Sequence, residues 1–304
     1  MRGLACTLLA LLALAGCGGG DDAAEAPAAP AANFDAERAY ADLEAQVELG
    51  PRPSGSAAAR RTAQLIAARL TDAGVSQITV QRPWRNVLGT LPGEGDGVVL
   101  VGAHYDTKDA IPGFVGANDG ASGVAVMLEL ARTLPRPLPG PSVQFVGFDA
   151  EEPRGDRDFL DDGARGSKQY VEYARAGGEQ GAVALEQIDA MVLFDMVGDC
   201  ELEIPRETSS DPDLYGAFAD AASELTGGPA PFEGTFGGVV DDHTEFIAAG
   251  IPAVDLIDFQ YGPGPPPGKW WHTPRDTLDK VCVESLNAVG EAALRAIPRI
   301  RGAP

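Results

Sequence analysis

Basic charge is what this 304-residue sequence has least of. Only 23 Lys+Arg stand against 45 Asp+Glu, for a formal net charge of −22. A field of that sign repels phosphate backbones and anionic lipid, which excludes nucleic acid as a partner and tolerates cationic groups such as peptide amino termini. Cysteine is scarce too. Of the four, Cys6 and Cys17 fall at the extreme N-terminus, and Cys200 and Cys282 form no CxxC or other metal-spaced pattern, which argues against a thiolate zinc site. An oxidising compartment would permit Cys200 and Cys282 to pair, but two cysteines so far apart do not demand it. Beyond the first residues no window holds the roughly 18 uninterrupted apolar residues of a membrane span, so the remainder is expected to be soluble. Histidine numbers three, His104, His243 and His272, which limits how an imidazole site can be built. At 44% hydrophobic and 22% charged residues the composition is that of a globular chain with ample core material.

What is present begins with an address. Met1-Arg2 carries one positive charge, and Leu4 to Ala15 is an apolar run of Leu and Ala, too short for a membrane helix and suited to a signal-peptide core. It ends Leu14-Ala15-Gly16-Cys17, which resembles the bacterial lipoprotein processing box, in which the cysteine is lipidated and becomes the mature N-terminus. The alternative is an ordinary secretory signal with Cys17 incidental. The reading is therefore a signal over 1–16, a lipidated flexible tether of Gly, Ala, Pro and acids over 17–33, and one folded domain over 34–304. Its expected place is the bacterial cell envelope, facing away from the cytoplasm and touching membrane only through the anchor. A monomer is expected.

From Phe34 onward, amphipathic helical patterns alternate with short continuous apolar runs. Helices are expected at 34–49, 57–73, 123–134, 168–176, 214–225, 244–249 and 284–297, and strands at 78–80, 97–102, 143–148, 191–194 and 253–257. Continuous apolar strands between helices predict an α/β fold whose largely parallel sheet is covered on both faces. In such sheets the ligand site lies beyond the carboxyl ends of the strands. There the chain places His104, Glu151-Glu152, Asp195 and, past a Gly/Pro-rich loop, His272; Asp119 sits just before a helix. Each has an ordinary alternative: a solvated Glu pair, a helix cap at Asp119, a turn cap at Asp195, packing at His272. Their joint occurrence at successive strand ends points instead to a metal-dependent enzyme, and mixed imidazole and carboxylate donors suit an open zinc site. Neighbouring glutamates at a strand end point different ways, so one of the pair can hold metal while the other faces substrate as a base.

The segments GAHYDTK, VGANDGASGVAVMLELAR, FDAEEP, LFDMVGD, DDHTEFIAAGIPAVDLI and WWHTPRDT, in that order, together with the early GPRPSGS, resemble metallopeptidase family twenty-eight. That superfamily contains zinc aminopeptidases and animal-type glutaminyl-peptide cyclotransferases. The resemblance implies a three-layer phosphorylase/hydrolase-like α/β fold with a mixed, largely parallel sheet flanked by helices. It implies Asp119, Glu152 and His272 as ligands of one zinc, His104 and Asp195 as further ligands should a second be held, and Glu151 as general base. One zinc is expected of a cyclotransferase and two of an aminopeptidase; the substrate in either case is a peptide or protein N-terminus. Four features lean toward the cyclotransferases: Asp241 opening DDH, Trp271 before His272 as a pocket wall, the FDAEE segment, and Lys108 closing HYDTK. The chain departs from them in lacking a Trp after Glu152 and in carrying Asp255 where they have histidine. His243 is expected behind the ligands rather than among them. The acidic segment 154–162 lacks the Gly and terminal Glu of an EF-hand loop and reads as a solvated rim. A silent binding lipoprotein on the same fold is disfavoured, because a candidate ligand stands at every metal position.

Overall fold

The computed structural model describes residues 33–301, so the signal segment, Cys17 and residues 18–32 of the tether lie outside the described residues. In chain order the elements are α1 (Ala36–Val47), α2 (Ala57–Asp72), β1 (Ser76–Val80), β2 (Val87–Leu91), β3 (Val98–His104), α3 (Ser122–Thr133), β4 (Ser142–Phe148), α4 (Phe159–Asp162) and α5 (Arg165–Arg175). Then follow β5 (Ile188–Asp195), β6 (Arg206–Glu207), α6 (Pro212–Thr226), β7 (Thr235–Phe236), α7 (Asp242–Ala248), β8 (Ala253–Ile257) and α8 (Val283–Ala296). Among the described residues no helix is long and apolar enough to cross a membrane.

Six strands form one sheet in the order β1-β2-β4-β3-β5-β8. The β4, β3, β5 and β8 strands run parallel, and β2 joins antiparallel to both β4 and β1. The sheet is thus mixed and largely parallel. Successive strand residues serve opposite faces, as a period of two requires. Val99, Val101, Val192 and Phe194 pack in the core with α1, α3, α6 and α8, while Leu100, Met191 and Leu193 pack with Tyr170 of α5 and Phe246 of α7. Both faces are covered, so these strands read as unbroken apolar runs rather than alternating ones. Each such side chain contributes about 1.5–3 kcal/mol on burial. Helix α3 is buried over nearly its whole circumference, in keeping with the apolar content of SGVAVMLELAR. It approaches β5 so closely that a Cβ on Gly123 would lie 2.1 Å from the Phe194 carbonyl oxygen, which only glycine tolerates.

Strand β2 and the short parallel pair β6/β7 escape sequence reading. Val87–Leu91 is five residues with a central glycine and a Thr, and its strand character comes from pairing with β4 along its whole length. Cys200 and Cys282, left open above, form a disulfide that ties the segment after β5 to the start of α8. The bridge closes a loop with a sequence separation of 82, for which chain entropy gives a stabilisation of about 4–5 kcal/mol. Replacing both cysteines by serine is expected to lower the thermal midpoint by about 10 °C. An unchanged midpoint would show that this loop is already restrained without the bond.

Candidate metal centre

Each candidate side chain is delivered by the backbone at one rim of the sheet. His104 and Asp195 are the last residues of β3 and β5, Glu151 and Glu152 stand three and four residues past β4, and Asp119 lies within the turn that leads into α3. His272 comes from the loop after β8. Three non-glycine residues here have left-handed backbone: Ala150 (φ 62°), Met196 (φ 49°) and His272 (φ 49°). Each such conformation costs on the order of 1–3 kcal/mol, and all three sit at or beside a candidate ligand or base.

Two overlapping donor sets result, His104–Asp119–Asp195 and Asp119–Glu152–His272, each with ligand atoms within 4.8 Å of one another. His104 Nε2 lies 3.3 Å from Asp119 Oδ1 and 3.2 Å from Asp195 Oδ1. His272 Nε2 lies 3.4 Å from Asp119 Oδ2 and 3.1 Å from Glu152 Oε1. The two oxygens of Asp119 therefore face different imidazoles, which is the geometry of a shared donor. Glu151 stands beside these sets with Oε2 3.7 Å from His104 Nδ1. Among the described residues Asp119 Oδ2 finds no hydrogen-bond partner although it is buried. A buried carboxylate oxygen without a donor is costly, and a divalent cation would satisfy it. The oxygen-rich donor set with two imidazoles suits zinc.

The electrostatics have the same cause. Burial pushes Asp195 up to about 7; His104 opposes this, while Asp241 and Asp119 add to it. Burial also raises Glu151 well above the ordinary carboxylate range, against His104 and with help from Glu152, Asp241 and Asp242. Burial lowers the affinity of the His104 ring for a proton, but Glu151, Asp106, Asp119 and Asp195 outweigh it and raise that group. Asp119 ends below its usual value: burial works against ionisation, and the His104 hydrogen bond and the charges of His272 and Arg52 prevail. The site is one of crowded negative charge, which a cation relieves.

These groups open into a cavity of about 660 Å³. Lys108, Asp241 and Trp271 line it, as do Val239, Val240 and Phe259. Lys108 Nζ donates to the Pro153 carbonyl and lies 3.7 Å from Glu152 Oε2. The indole of Trp271 stacks on the His272 ring at 3.8 Å and 14°, and Phe114 meets the same ring edge-on at 5.9 Å. Asp241 caps α7 through the Asp242 amide. His243 does not line the cavity. It is wholly buried, with Nε2 3.2 Å from Glu207 Oε1 and Nδ1 3.7 Å from Asp255 Oδ2. Burial works against Glu207 ionising, but the His243 ring and the donors of Ser210 and Ser209 hold it down at about 2. The segment 154–162 does border the cavity mouth through Asp156, Arg157 and Asp158. It is not simply solvated, however. Asp162 is buried and takes Arg154, Arg157 and Arg165 at 2.5, 3.0 and 2.8 Å, which pin the loop from three sides.

Sequence reading passed over three residues that hold the donors in place. Asp106 accepts from the Glu151 and Glu152 amides at 3.0 and 3.3 Å. Asp276 does the same for Asn118 and Asp119. The buried guanidinium of Arg52 donates to the Val115 and Gly116 carbonyls. The only signal was proximity: Asp106 and Asp276 stand two and four residues after His104 and His272.

A mixed α/β sheet with two imidazole–carboxylate donor sets sharing one aspartate at its carboxyl edge defines a metal-dependent enzyme class. The chain belongs to peptidase family M28, whose sequence profile matches residues 86–297. It is similar in structure to an Acidobacteriales bacterium glutaminyl cyclase, with 31% identity, 91% of this chain and 98% of that one covered, and a TM-score of 0.79. It is also similar to a Zn-dependent exopeptidase from Parabacteroides distasonis, with 26% identity, 89% and 100% covered, and a TM-score of 0.76. Aminopeptidase YwaD of Bacillus subtilis is 30% identical over 207 residues, 66% of this chain and 40% of that protein. The chain spans less than two thirds of the length of the curated relatives it matches.

Proposed function

We propose that this chain is a zinc-dependent enzyme of peptide N-termini, and specifically a glutaminyl-peptide cyclotransferase that converts N-terminal glutamine to pyroglutamate with release of ammonia. The observation that carries the reading is the Asp119–Glu152–His272 set walled by the Trp271 indole, with buried Glu151 and Asp241 opening into the same cavity. Asp119, Glu152 and His272 would hold the ion, and bound zinc supplies Lewis-acid polarisation of the substrate carbonyl. The acids of the cavity attract the substrate's amino group, and Trp271 offers a flat face to the glutamine side chain. The α-amine nitrogen attacks the γ-carbonyl carbon, closing the ring, and the bond to the side-chain nitrogen breaks. Glu151 takes the proton from the amine and delivers it to that nitrogen, which leaves as ammonia. Intramolecular attack gives the reaction its proximity advantage.

The second reading, a zinc aminopeptidase or exopeptidase, is favoured by the completeness of His104–Asp119–Asp195 as a second donor set. There Glu151 would collect the proton of an attacking water. The Cys17 anchor, the cell-envelope location and the monomeric state belong to the same proposal and rest on the sequence alone. The test compares ammonia release from a Gln-initiated peptide with cleavage of a Leu-initiated chromogenic amide, alongside the zinc content of the purified chain. Ammonia release with one zinc per chain is the expected result. Cleavage of the amide without ammonia release, with two zinc ions, would establish the second reading instead.

A further inference from the structure

Asp119 lies in a stretch without regular secondary structure, buried between β3 and α3. Backbone groups in such a place need partners from elsewhere in the fold. Two buried side chains divide the task by charge. Arg52 takes the carbonyls of Val115 and Gly116 at 2.6 and 3.0 Å. Asp276 takes the amides: its Oδ1 accepts from Asn118 N at 2.8 Å and its Oδ2 from Asp119 N at 3.0 Å. The Tyr261 hydroxyl donates to the same Oδ1 at 2.6 Å, so both oxygens of this wholly buried carboxylate are engaged.

The consequence is geometric. Asp276 belongs to the segment that carries His272, and it grips the peptide unit that carries Asp119. The Asn118 side chain continues the connection, its Oδ1 accepting from Gly198 N at 2.8 Å in the segment that follows Asp195. Ser122 adds a parallel link, its hydroxyl donating to the Asn118 carbonyl and accepting from Val197 N. Three donor-bearing segments, remote in sequence, thus meet on the Asn118–Asp119 peptide. Asp276 itself is not among the residues lining the cavity, and among the described residues its hydrogen bonds go to the Asn118 and Asp119 amides and to Tyr261, not to a donor side chain.

We infer that Asp276 is a positioning residue, whose carboxylate sets the distance between Asp119 and His272 by holding the Asn118 and Asp119 amides from the His272 segment. The inference rests on the zinc reading above. Partners behind metal ligands of this kind typically change metal affinity by about 10–100-fold when replaced. In Asp276→Asn only one oxygen is left to accept, and the amide nitrogen opposes a backbone N–H that Oδ2 or Oδ1 now satisfies.

The test is zinc affinity of the full chain, measured by chelator competition with zinc alone, together with kcat, KM and thermal unfolding of the metal-stripped protein. Asp276→Asn is expected to bind zinc about 10–100-fold more weakly and to lose kcat while KM stays within about threefold, a split that general loosening of the fold would not give. Wild-type zinc affinity in a folded Asp276→Asn would overturn the inference. Failure of the wild-type chain itself to bind zinc would overturn the zinc reading, and this inference with it. Should Asp276→Asn not fold, Tyr261→Phe decides: it frees one anchor of the carboxylate and is expected to weaken zinc about three- to tenfold, whereas unchanged affinity counts against Asp276.

Discussion

Glu151→Gln is expected to lower kcat by about 10³-fold while the zinc content stays that of the wild type. The substitution keeps the shape of a buried residue, 8% exposed, and leaves its amide on Asp106, so the fold has little reason to change. What is lost is the ability to take a proton and give it back. Burial raises the Glu151 carboxyl well above the ordinary carboxylate range, and a carboxyl can exchange a proton where the amide cannot. Because Glu151 belongs to neither donor set, metal content and turnover should separate. A variant with full activity would show that proton transfer runs through another group, and one that loses zinc would place Glu151 among the ligands.

Asp119→Asn should have the opposite signature: zinc is lost and activity goes with it. Each oxygen of Asp119 faces a different imidazole, and the amide retains only one oxygen with no charge, so one donor set loses a member outright. The expected fall in zinc affinity exceeds the ~10–100-fold typical of residues behind the ligands. Equilibrium dialysis against a zinc buffer measures it. His104→Ala makes the informative companion: it should remove metal only if the His104–Asp119–Asp195 set is filled in the resting protein. Full zinc occupancy in Asp119→Asn would remove Asp119 from the ligands, a place that both functional readings give it.

The His104, Glu152 and Asp195 positions were legible because chemistry-bearing residues follow apolar runs, and a parallel sheet gathers the ends of its strands along one edge. The supporting residues were not legible in the same way. Arg52, Asp106 and Asp276 hold backbone groups rather than substrate or metal, and a carboxylate that accepts from two amides looks in sequence like any other acid in a loop. Asp162 was hidden for a related reason: among so many acids, nothing marked it as the one that three arginines would surround.

The sequence by itself determined the alternation of buried strands and helices and the crowding of acids and histidines after those strands. These follow from local pattern and composition, which neighbours along the chain suffice to define. Only the tertiary structure decided that Asp119 serves two imidazoles at once, that Cys200 bonds Cys282, that His243 turns inward to Glu207, and that β2 enters the sheet. Each of those depends on distances between segments far apart in the chain, and such distances are set by how the whole core packs.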